Sequence, residues 1–427
     1  MDADVIIVGA GLSGLTCAVE LRRRGLEPLL IEAADAVGGR VRTDVVDGFL
    51  LDRGFQVLLT SYPNARAFLD ISALQLGKFS PGAWMGMADG LGGGYLVADP
   101  LRQPLELAAT LRAPIGNLTD KFLILKMRRM LRKRGPDRIE EWTQISARNW
   151  LQAFGFSEKV IDYFFKPFFR GILLEEQLAS EAWLLATLYH YFSTGYAALP
   201  AGGMQAIPKQ LAQQLGDKRI LLNSPVTKVG TDRVHLADGR TFSAGRIVVA
   251  CDQTAAVALN TIQNADAFNG CGCHYFWAPE NPLARSNLLW LNASGTGAVS
   301  QIATPAGVQS SYAPAGHCLV SVGTTGKKAV TKSDLLVELR AYFGAVVDNW
   351  QALADYWIPQ ALPKREPSAT RRIFAGYRLV EGRYLCGDHL SYGSIDGALA
   401  SGAATARAVT KDLSNEPKTH SIATATT

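Results

Sequence analysis

The sequence predicts an α/β protein in which a Rossmann-type parallel-sheet domain is interleaved with a second domain of mixed α+β character. Three observations predict it. An apolar strand, a glycine-rich turn, a helix and a second apolar strand follow one another within residues 4–32. Residues 61–200 then change to long helical patterns. Strand patterns return at 218–250 and again at 384–387, so the first domain is interrupted rather than followed by the second.

Residues 4–8, with Val5 to Val8 apolar, read as a short buried strand, and Gly9-Ala10-Gly11-Leu12-Ser13-Gly14 as the turn after it. A helix is predicted from Leu15 to Arg24, stopped by Gly25, and a strand from Pro28 to Ile31 that ends in Glu32. Within 61–200 the clearest helix covers 120–134, and Tyr163, Phe164, Phe165, Phe168 and Phe169 form an aromatic cluster. Strands are predicted around Ile220–Leu222, Val226–Val229, Val234–Leu236 and Ile247–Ala250, with Asp238-Gly239 as a hairpin turn. Residues 268–323 are strand-rich, 333–343 helical, and a Gly/Ala-rich helix follows 384–387. The expected division is 1–60, 201–260 and 370–412 for the first domain, 61–200 and 261–369 for the second, and 413–427 for a disordered tail.

A chain of 427 residues that is 48% hydrophobic can bury two cores. Its net charge of +5 is too small, and its basic residues too little interleaved with aromatics, for a nucleic-acid binder. The six cysteines are scattered, which suits a reduced cytoplasmic protein. Cys271 and Cys273 form a C-x-C without a second ligand pair, so no metal is expected. Asp2 and Asp4, not a cationic run, precede the first strand, and no stretch reaches the ~18 apolar residues of a membrane span. The expected location is the cytoplasm, with any membrane contact made from one side.

Gly9, Gly11 and Gly14 have the G-x-G-x-x-G spacing. The first allows the tight turn, the second lets the backbone approach a pyrophosphate, and the third lets the helix pack on the strand. The helix start, with Ser13, offers free N–H groups and a positive dipole end to phosphate. Glu32, eighteen residues past Gly14, is placed to accept hydrogen bonds from ribose hydroxyls. Gly38-Gly39-Arg40-Val41-Arg42-Thr43 then supplies two arginines for charge-assisted bonds to a pyrophosphate.

With these residues the sequence resembles the flavoprotein superfamily of monoamine oxidases, protoporphyrinogen oxidases and phytoene desaturases, and the resemblance runs nearly end to end. It implies FAD as the cofactor, with Gly38, Gly39, Arg40 and Arg42 against it. Near the C-terminus, Gly387-Asp388 and Gly393-Ser394-Ile395-Asp396-Gly397-Ala398 resemble the superfamily's closing motif. That resemblance implies that Asp388 binds FAD hydroxyl or phosphate groups. It also implies that the helix starting near Ser394 and Ile395 points at the flavin pyrimidine edge, where a helix dipole would stabilise negative charge. Val226, after Pro225, falls where the superfamily holds the adenine. No covalent-flavin cysteine motif is present; Cys386 reads as a buried apolar residue, so the FAD is expected to be non-covalent.

The run from Asp52 to Asn64 is similar to that of plant-type carotenoid desaturases, with Gln56 where those enzymes carry a histidine. Gly54 and Phe55 in this run join the expected cofactor contacts, and Gln56 is a candidate on the substrate side, unless it is a core amide bonded to backbone. The lysine that amine oxidases place on a strand near flavin N5 has no counterpart in Cys273-His274-Tyr275-Phe276-Trp277. His274 is the second substrate-side candidate, with a satisfied structural histidine as the alternative reading. The expected function is dehydrogenation of a largely apolar, carotenoid-, isoprenoid- or porphyrinogen-like substrate by hydride transfer to flavin N5. An amine oxidase releasing hydrogen peroxide and a non-catalytic flavin-binding scaffold are the alternatives. Residues 121–138, with Lys121, Lys126, Arg128, Arg129, Arg132, Lys133, Arg134 and Arg138 among apolar residues, suggest a basic helix that lies on an anionic membrane or is simply a solvated face.

Overall fold

In the computed structural model, which describes residues 1–135, 140–283, 285–368, 377–380 and 382–415, the apolar run Ala3–Val8 lies at the centre of a parallel sheet. It pairs in parallel with Pro28–Ile31 on one side and with Thr241–Val249 on the other. Ile220–Leu221 and Arg383–Leu385 extend the two flanks, both parallel. Strands covered on both faces need apolar residues at nearly every position, which is why 5–8, Pro28–Ile31 and 247–249 read as unbroken apolar runs. Val5, Ile7 and Leu30 face the helices Leu12–Arg23 and Ile395–Asn415. Ile6, Val8 and Leu29 share the core of the other face with Val229, Val234 and Leu236 of the antiparallel strands Val226–Val229 and Arg233–Leu236, which join Thr241–Val249 through the Asp238-Gly239 turn with Gly239 at φ 88°.

The first helix begins at Leu12, not Leu15. Gly14 lies inside its first turn, where a Cβ would stand 2.0 Å from the Gly9 carbonyl oxygen. The missing side chain lets the helix start directly on the turn.

The second domain is built on a seven-stranded sheet in the order Gln351–Pro363, Phe268–Ala278, Cys318–Thr325, Val299–Ala303, Leu289–Asn292, Gly82–Gly86, Gly94–Ala98. All neighbours are antiparallel except Leu289–Asn292 with Gly82–Gly86. The segment 61–200, whose character reads as helical, therefore also supplies two strands of this sheet. Glycines conceal them: a Cβ on Gly86 would fall 1.8 Å from the Trp290 ring. Of the helices Leu118–Arg134, Ala147–Phe154, Lys166–Leu173 and Ala182–Thr194, the third packs on Leu289–Asn292, Val299–Ala303 and Cys318–Thr325 of the sheet, and the last packs against the first two. An Asn117/Asp120 capping box starts the first of them. A π-helical turn at Ile161–Phe165 precedes Lys166–Leu173, and across it the Phe164 and Phe168 rings stack with centroids 5.9 Å apart.

The C-terminal helix continues to Asn415, so the expected tail from 413 starts too early; residues 416–427 lie outside the described residues. Residues 136–138 of the basic segment and 370–376 of the expected C-terminal part of the first domain also lie outside them. Among the described residues no helix is long and apolar enough to cross a membrane.

Candidate active site

Both domains line one cavity of about 1070 Å³, at the upper end of the range for small-molecule sites. Its inner end is made by the parallel-sheet domain. Gly9 turns the chain at φ 107°, and a Cβ on Gly11 would meet nothing within 4 Å. The backbone at Gly11 is therefore open to close approach, and the helix from Leu12 carries no side-chain cap on its first N–H groups. Ser13 stands in its first turn, on the cavity wall. Gly38 donates its N–H to the Ala10 carbonyl at 2.9 Å, which holds the Gly38-Gly39 loop against the turn with φ of 122° and 59°. The Glu32 carboxylate closes the same corner, accepting from the Ala10 N–H at 2.6 Å and the Ala34 N–H at 2.9 Å.

Arg40 reaches across the cavity wall to Asp388 at 2.6 Å and to the Ala361 carbonyl at 2.9 Å. Burial works against its charge, but the Asp388 carboxylate outweighs that and raises its pKa. Val226, Gly387, Asp388, Ser394 and Ile395 complete this end. Ser394 Oγ accepts the Gly397 N–H at 2.9 Å and so caps the last helix. Asp396, in that helix's first turn, accepts from the Asn64 N–H at 2.8 Å, the Asn64 side chain at 2.9 Å and the Tyr392 hydroxyl at 2.8 Å. Asn64 thus ties the Asp52-to-Asn64 run to the last helix, while Gly54, Phe55 and Gln56 of that run line the cavity.

These features fit FAD. An uncapped helix start beside an open glycine backbone suits a pyrophosphate, and Glu32 keeps lone pairs for ribose hydroxyls. Gln56 donates to the Arg40 carbonyl at 3.0 Å, while its buried Oε1 has no partner among the described residues. Such an atom is costly unless a ligand donor meets it.

Three of the expected residues stand elsewhere. Arg42 pairs with Asp35 at 2.9 Å and does not line the cavity. Gly14 lies beneath the turn, against Gly9 and Ala250. His274 points to the opposite side of the Phe268–Ala278 strand, where Asp355 holds Nδ1 at 2.7 Å and Thr324 Oγ1 lies 3.4 Å from Nε2. It lines a separate cavity of about 160 Å³. Side chains alternate along a strand, so Cys271, not His274, reaches the main cavity.

The outer end of the cavity is walled by Phe79, Phe164, Phe168, Phe192, Leu289 and Leu291, with the Gln301 amide among them. Asp99 is its carboxylate, and it is held by Arg102 at 2.6 Å and Arg128 at 2.5 Å. Cys251 and Cys271 also line the cavity, and burial pushes each thiol up to about 12. Gln301, Cys271, Asp99 and Asp252 carry no motif; a local sequence signal exists only for Asp252, which caps the helix Gln253–Ala258 through the Ala255 N–H at 3.0 Å.

A family model described as flavin containing amine oxidoreductase matches residues 12–410. Protoporphyrinogen oxidase 2 of Arabidopsis thaliana is 25% identical over 232 residues, covering 53% of this chain and 43% of that protein. A probable flavin-containing monoamine oxidase A of Dictyostelium discoideum is 24% identical over 288 residues, covering 59% of this chain and 58% of that protein. The chain thus spans about half the length of these curated relatives. Among solved structures, cyclohexylamine oxidase from Brevibacterium oxydans superposes with a TM-score of 0.68 at 18% identity, covering 97% of this chain and 100% of that one. A putrescine oxidase bound to putrescine gives 0.68 at 18% identity, covering 96% and 99%. At such identity these two matches speak for the fold: an FAD-binding domain of Rossmann type joined to a substrate domain.

Proposed function

The chain belongs to the family of flavin containing amine oxidoreductases, and from that membership we propose that it is an FAD-dependent oxidoreductase that dehydrogenates a largely apolar organic substrate, carotenoid-, isoprenoid- or porphyrinogen-like. The observation that carries the reading is the charge inventory of the outer cavity. Its carboxylate, Asp99, is already neutralised by two arginines, so among the described residues no acid stands free on that wall to receive an ammonium group. Among the described residues the lysine on the cavity wall is Lys121, which donates to the Leu111 and Ala113 carbonyls instead of standing by the inner end.

Bound FAD supplies a two-electron acceptor for hydride. The chain's own residues supply placement. The glycine turn and the start of the Leu12–Arg23 helix would hold the pyrophosphate, Glu32 the ribose, and Arg40 with Asp388 the polar middle of the cofactor. The Ser394–Ile395 helix start, on the cavity wall, would offer its positive dipole end to negative charge on the reduced cofactor. The aromatic wall of Phe164, Phe168 and Phe192 excludes water and aligns the substrate, and the Gln56 and Gln301 amides give it direction.

Anaerobic mixing of the FAD-loaded protein with polyenes, porphyrinogens and simple amines tests the proposal through loss of flavin colour. Bleaching by a polyene or a porphyrinogen is the expected result. Rapid bleaching by primary or secondary amines alone would replace the reading with an amine oxidase, and hydrogen peroxide release in air would then report oxygen as acceptor. No bleaching by any class would leave a flavin-binding scaffold.

A further inference from the structure

The outer cavity opens beside a surface that a water-exposed protein does not ordinarily keep. Leu105, Leu118 and Phe122 are 96%, 75% and 67% exposed. Leu107, Leu111 and Leu125 are exposed too, and the same three line the cavity. Leu118, Phe122 and Leu125 fall at i, i+4 and i+7, one stripe of the Leu118–Arg134 helix. Lys121 binds the Leu111 and Ala113 carbonyls and so fixes that stripe beside the Leu107–Arg112 helix. Met127 and Leu131, apolar residues of the same helix, are fully buried, so the exposed stripe is not the face that anchors the helix.

The stripe continues into charge of one sign. Arg129 and Arg132 extend it, and Arg112, Lys126 and Lys133 flank it, all exposed. The acid within the helix, Asp120, is buried and capped into its N-terminus. We propose that this leucine- and phenylalanine-bearing rim with its cationic border docks the protein on an anionic lipid bilayer, with the cavity mouth facing the acyl chains. An apolar face edged with lysine and arginine fits the boundary between headgroups and acyl chains, where anionic headgroups meet the cations. A second copy of the chain fits less well. A two-fold contact sets the same patch against itself and would bring five cations against their like. The inference rests on surface chemistry and does not need the substrate assignment.

The test is flotation of the FAD-loaded full chain with vesicles of phosphatidylcholine alone or mixed with phosphatidylglycerol. Binding to the mixed vesicles that weakens with salt is expected. The triple variant Leu105→Glu, Leu118→Glu, Phe122→Glu changes only residues off the cavity wall. It should keep its flavin spectrum and melting temperature and lose binding on the order of tenfold or more. The pair Arg129→Gln, Lys133→Gln should lower binding to the mixed vesicles and leave binding to phosphatidylcholine unchanged. Absence of binding to mixed vesicles, equal binding by the triple variant, or a wild-type dimer that the triple variant dissociates would each overturn the proposal.

Discussion

The Arg40 guanidinium stands 2.6 Å from the Asp388 carboxylate, across 348 residues of sequence. Each holds the other at the cavity wall, so both must be present for either to be oriented. Asp388→Ala should lower FAD affinity by roughly tenfold to a hundredfold, the loss of ~1.5–3 kcal/mol for a hydrogen bond to a charged group. Arg40→Ala should do the same, and the double variant should lose clearly less than the sum. Fluorescence titration of apoprotein with FAD reads all three; additive losses would show that the pair does not act as a unit.

Glu32 accepts two backbone N–H groups, one from the glycine turn. Glu32→Ala should weaken FAD binding by ~1–3 kcal/mol, and Glu32→Gln, which keeps an acceptor for one of them, by less. Equal FAD retention by the alanine variant and the parent after dialysis would show that Glu32 does not hold the ribose.

The flavin should be released intact when the protein is precipitated in acid. Cys251 and Cys271 are the cysteines that reach the cavity, and with burial pushing both thiols to about 12 neither presents a thiolate at neutral pH. Cys386 is fully buried in the core of the parallel-sheet domain. Yellow colour in the washed pellet would contradict this.

Asp52 should make stability fall between pH ~4 and ~6. Burial raises its pKa to about 6, against the lowering effect of hydrogen bonds from Thr43, the Met204 N–H and Tyr312. The folded state therefore holds the proton more tightly than the unfolded chain, whose aspartates titrate near ~3.9. The stability this contributes is complete below pH ~4 and is lost as pH rises through about 6. Asp52→Asn should gain on the parent across that interval, by ~3 kcal/mol at most, and hold a constant advantage above it. Urea unfolding of both proteins from pH ~4 to ~8 measures the difference; a gap independent of pH would refute it.

The inner end of the site was legible because each part of it is local. A turn at Gly9, a helix after it and an acid at Glu32 lie within one βαβ unit, and period and spacing reveal all three, although the helix starts at Leu12, one turn before the Leu15 that the pattern suggests. The outer end was not. Gly82–Gly86 hides as a strand because its glycine makes room for Trp290, a partner two hundred residues away in sequence. Gln351–Pro363 hides because it is an edge strand, half-exposed and tolerant of Pro359, so it shows no clean alternation. Whether His274 or Cys271 faces the cavity depends on which side of their strand meets the other domain, which no local pattern records. Arg42 reads as a phosphate ligand until Asp35 is seen to hold it.

The parallel sheet takes Ala3–Val8 and Pro28–Ile31 from the beginning of the chain and Arg383–Leu385 from near its end, with Ile395–Asn415 packed on the first helix so closely that a Cβ on Gly402 would stand 2.2 Å from the Ser13 carbonyl oxygen. On a ribosome the glycine turn emerges well before Arg383–Leu385 and Ile395–Asn415, and it must wait for both before its sheet, its covering helix and the Asp388 partner of Arg40 exist. Nascent chains arrested before residue 383 should therefore capture no flavin, and loading becomes a check that translation has run through the last helix. Until then the apolar strands of the first domain are exposed, which makes this half of the molecule the one that most needs shielding during synthesis.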